Sequence, residues 1–100
     1  MAERIWHRFY DEDVPYTIEP PVEPLFVQLE KTALEFPQVI ATDFMGARLT
    51  YRQLAEQVNR FASSLSGLGV ETGDRIAIML PNCPQIIIAY YAALSIGAVV

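Results

Sequence analysis

Cysteine, histidine, lysine and tryptophan occur once each, as Cys83, His7, Lys31 and Trp6. A single cysteine permits no internal disulfide and no cysteine-based metal cluster, and sits most naturally in a reducing compartment. Basic residues are few, only seven, and scattered. Binding a phosphate backbone takes a clustered basic face, so nucleic acid is excluded as a partner. Charge runs out altogether after Arg75. The first eight residues carry no apolar run, so no secretory signal is expected there. Five glycines and seven prolines exclude a collagen-like or low-complexity chain.

Apolar side chains are abundant instead, at 52 % of 100 residues, with only 19 % charged. That is too apolar for disorder. It is also more apolar than a small independent domain needs, because small domains have the most surface per volume. The chain therefore reads as part of a larger fold. The net charge of −5 lies wholly in the first fifty residues, and the second fifty are neutral.

Residues 1–24 read as an extended arm, with Pro15, Pro20, Pro21 and Pro24 fixing backbone geometry. It also carries Trp6, Phe9, Tyr10, Tyr16 and Ile18, which a solvated linker has no reason to hold. Leu25, Leu29, Ala33 and Phe36 recur at helical spacing before Pro37. A hairpin follows: Val39–Phe44, a turn at Met45-Gly46-Ala47, and Arg48–Thr50. Thr50 and Gln53 form a capping box for a helix over residues 51–68, whose apolar stripe is Leu54, Val58, Phe61, Leu65 and Leu68. Gly67 and Gly69 end it. Residues 75–80 do not alternate and read as a strand buried on both faces. Pro81-Asn82-Cys83-Pro84 breaks that strand, with Asn82 the expected cap and Gln85 its capping-box partner. A helix over 84–96 and a strand from residue 98 complete a βαβ crossover. A transmembrane span is the rival reading of residues 76–100. Only 15 residues follow Gln85, short of the ~20 a bilayer needs.

Three stretches together resemble the start of the adenylate-forming (AMP-binding) enzymes. They are Arg48-Leu49-Thr50-Tyr51 with Gln53-Leu54; Gly67-Leu68-Gly69-Val70 with Gly73-Asp74-Arg75-Ile76-Ala77-Ile78; and Leu80-Pro81-Asn82 with an apolar helix ending Ile96-Gly97-Ala98-Val99. The arm, with Trp6 and a Tyr- and Pro-rich lead to Leu25, is similar to that of long-chain fatty-acid–CoA ligases. The resemblance implies an α/β fold, with residues 25–100 forming the N-terminal part of a large domain. It implies joining of a fatty acid to ATP as an acyl-adenylate, with Mg²⁺, and transfer of the acyl group to coenzyme A. It further implies a cytoplasmic enzyme, with peripheral membrane association open. The family's phosphate loop, adenine-contacting segment, Mg²⁺-binding glutamate and catalytic lysine match nothing here, and the surroundings of Lys31 resemble neither lysine motif. No catalytic, cofactor-binding or metal-binding residue is therefore assigned, and this segment is expected to bind no ATP, Mg²⁺ or CoA by itself.

Each remaining candidate has a plainer alternative. Asp11-Glu12-Asp13 reads as a solvated turn rather than a cation site, and His7 as a surface side chain in a mobile arm. Gly67-x-Gly69 precedes a turn and strand, where a dinucleotide site needs a helix. Cys83 reads as a small buried side chain near a helix start. Pro81–Gln85 lies where α/β ligand sites gather, but Pro84 removes an amide. Other ligases of the superfamily, for aryl or medium-chain acids or amino acids, stay open. So does a non-enzymatic interaction module that forms homo-oligomers through the arm or the apolar helix.

Overall fold

The computed structural model describes residues 4–100. The arm is not uniformly extended: Ile5–Phe9 form a short 3-10 helix. Its sequence, Ile-Trp-His-Arg-Phe, holds no proline, so its amides are free to bond. The His7 amide donates to the Arg4 carbonyl and that of Tyr10 to the His7 carbonyl, each at 3.0 Å. His7 corrects the sequence reading outright, because it is 6 % exposed rather than on the surface.

Helix α1 spans Leu25–Glu35, opened by Pro24 and followed by Phe36 and Pro37. Strands β1, Ile40–Phe44, and β2, Ala47–Thr50, form an antiparallel hairpin. Its two-residue turn has positive φ at both Met45 (52°) and Gly46 (88°). That is the backbone sign pattern of a type I′ turn, whose twist matches the strands. The register slips between Ile40 and Thr42, leaving Ala41 in a bulge.

Helix α2 spans Tyr51–Gly67 and carries the expected capping box. The Gln53 amide donates to Thr50 Oγ1 at 3.2 Å, and the Thr50 amide to Gln53 Oε1 at 2.9 Å. Its buried face runs Leu54, Val58, Ala62 and then Leu65, not through Phe61 and Leu68. A neighbouring helix approaches on the Ala62 side of α2, so Ala62 is buried while Leu68 stays exposed.

That neighbour is helix α3, Pro84–Ser95. Its N-cap is Cys83, with no side-chain cap bond, rather than Asn82. Pro84 is pre-shaped for the first helical position, which moves the cap to the residue just before it. Helices α1, α2 and α3 pack around Leu29, Leu54, Val58, Ala62, Ile88 and Ala92, and the hairpin lies against α2 and α3. Ala92 and Ala93 are fully buried, and their small size lets α3 approach closely.

The strand expected over 75–80 is absent as a strand. One parallel bridge joins Arg75 to Val99. The Ile76 amide donates to the Val99 carbonyl and the Val99 amide to the Asp74 carbonyl, both at 2.7 Å. Among the described residues, no backbone hydrogen bond joins residues 77–80 to another segment. The direction of the crossover is thus as read, but its sheet has only its first rung. The fold is three helices with a small antiparallel sheet.

Apolar surface remains uncovered. The radius of gyration is 17.5 Å, against about 13 Å for a compact 100-residue domain. Leu34, Leu68 and Met79 stand almost fully in solvent. None of the described helices is long and apolar enough to cross a membrane.

Candidate functional site

The one segment that the sequence placed near a ligand-binding position is Pro81–Gln85. The structure sets it opposite the end of β1. Thr42, Asp43 and Phe44 from the hairpin face Asn82, Cys83 and Pro84 across an open groove of about 400 Å³. The hairpin reaches α3 because β1 packs on that helix.

The polar groups of this groove are mostly committed. Asp43 Oδ1 accepts the Gly46 amide at 3.2 Å, and Oδ2 accepts Arg48 Nε at 3.1 Å. Its carboxylate therefore fastens the hairpin turn. Pro84 has no amide proton, and the Cys83 carbonyl accepts the Ile86 amide at 3.1 Å. Cys83 is a partly buried free thiol. Thr42 Oγ1 is buried without a hydrogen-bond partner. Asp43 is the carboxylate among the groove-lining residues, and both its oxygens are already bonded within the hairpin.

A second groove of about 420 Å³ runs between α2 and α3, past Arg60, Phe61, Leu80, Gln85 and Ile88. Its exposed lining is chiefly apolar, with Gln57, Arg60, Ser64 and Gln85 its polar members. Among the described residues, no three His, Cys, Asp or Glu side chains gather as a metal site would require.

The other candidates lie apart from both grooves. Lys31 pairs with Glu23, which also accepts from Gln28 at 3.1 Å. Asp11 ends in a turn, its carbonyl accepting the Val14 amide at 3.0 Å. Gly69 lies just past α2 and leads into a turn, as the dinucleotide argument required. His7 is enclosed by Trp6, Tyr10 and Tyr16, a grouping the sequence signalled only as aromatics one, three and nine positions from it.

Comparison with known proteins places this scaffold in a family. The sequence profile of the AMP-binding enzymes matches residues 29–100. The chain belongs to the AMP-binding enzyme family. A long-chain-fatty-acid–CoA ligase from Bacillus subtilis is 35 % identical over 100 residues, covering all of this chain and 18 % of that protein. The N-terminal subdomain of NpsA from Klebsiella oxytoca, solved with 3-hydroxyanthranilyl-AMSN, superposes with a TM-score of 0.75. It is 29 % identical over 78 % of this chain and 20 % of that one. The fatty acyl CoA synthetase of Mycobacterium tuberculosis gives a TM-score of 0.70 and 32 % identity, over 73 % of this chain and 15 % of that one. The chain therefore spans less than a fifth of the curated ligase it matches, and its fold is that of an N-terminal subdomain of this family.

Proposed function

We propose that the AMP-binding enzyme containing this chain is an ATP-dependent long-chain fatty-acid–CoA ligase. The carrying observation is the reach of the match. The similarity to the Bacillus subtilis ligase runs through the aromatic arm as well as the helical body, over all 100 residues. The likeness to the NpsA subdomain covers 78 % of the chain.

In this reading, a fatty carboxylate attacks the α-phosphorus of ATP, forming an acyl-adenylate and releasing pyrophosphate. The thiol of coenzyme A then attacks the acyl carbonyl and AMP leaves. Stabilising the charge that develops on phosphate falls to groups outside this chain, Mg²⁺ among them. The helices α2 and α3, with the apolar run beyond Arg75, supply the dry packing against which such a site is built.

A second reading draws on the NpsA subdomain, which was solved with an aryl-adenylate analogue. Under it, the acid is aromatic and the arm is incidental. Pyrophosphate exchange by the whole enzyme separates the two. Palmitate should drive exchange at least tenfold faster than 3-hydroxyanthranilate or acetate. Preference for the aryl acid would overturn the long-chain assignment while leaving the family intact.

A further inference from the structure

We draw no further inference here: the strongest candidate, the backbone edge at residues 77–80 that is unpaired among the described residues and has Ala77 and Met79 exposed along it, is an unpartnered apolar face, and nothing in the structure shows what covers it.

Discussion

A Cβ on Gly97 would lie 2.8 Å from Thr72 Cγ2 and 3.0 Å from its Oγ1. The two residues meet where the turn before Arg75 crosses the end of α3. Thr72 Oγ1 donates to the Ile96 carbonyl at 3.2 Å, and the Gly73 amide to the Gly97 carbonyl at 2.9 Å. Gly97 also has φ of +79°. It is therefore fixed twice over, by backbone sign and by contact.

Gly97→Ala should destabilise the fold by about 1–3 kcal/mol from backbone strain alone. The contact with Thr72 adds to that. Urea unfolding checks it, and Thr72→Ala in the same chain should restore only the steric part. A Gly97→Ala midpoint equal to wild type would refute the argument.

The hairpin turn places Met45 at positive φ, where the Cβ of an L-residue crowds the backbone. Met45 is also 92 % exposed, so its side chain holds nothing in place. Met45→Asn should stabilise the chain by about 0.5–1 kcal/mol, because Asn-Gly suits a type I′ turn. Differential scanning calorimetry would read this as a higher Tm.

Thr50→Val removes the cap of α2 at nearly constant volume. The expected loss is about 1 kcal/mol, typical of an N-cap hydroxyl. Gln53→Ala breaks only the reciprocal bond and should cost less. Equal losses from the two would mean that the hydroxyl is not the dominant partner.

The 100-residue chain by itself should self-associate. It exposes 7906 Å², where a compact monomer of 11.2 kDa exposes about 5,700 Å². Light scattering at micromolar concentration should report a dimer or larger species. Leu68→Glu with Met79→Glu should shift it toward monomer without unfolding, since both side chains already face solvent. Glutamate at Ile87 or Tyr91 should unfold it instead, because these pack on the core. A stable wild-type monomer would show that the exposed surface needs no cover.

The parts that were legible in the sequence are those governed by neighbours in the chain. The capping box of Thr50 and Gln53, the hairpin turn and the Pro84 helix start all depend on residues within a few positions. The parts that were not depend on distant partners. Residues 76–80 have strand composition, but a strand exists only when another pairs with it, and Val99 supplies a single rung. His7 read as exposed because its burial comes from Tyr16, nine positions on and past a proline. Phe61 and Leu68 fit a helical stripe, yet the direction from which α3 approaches selects Ala62 instead. The sequence set Pro81–Gln85 at the carboxyl end of a strand over 75–80; that strand does not form, and the segment faces the end of β1 instead, which periodicity could not indicate.

Thr50 is at once the last residue of β2, paired with Ile40, and the cap of α2. The Tyr51 and Arg52 amides extend this join, donating to the carbonyls of Val39 and Pro37. Strand and helix share a residue, so there is no hinge between them. The sheet cannot swing without uncapping the helix, and the helix cannot fray from that end without loosening the sheet. Hydrogen exchange should find the two opening as one cooperative unit.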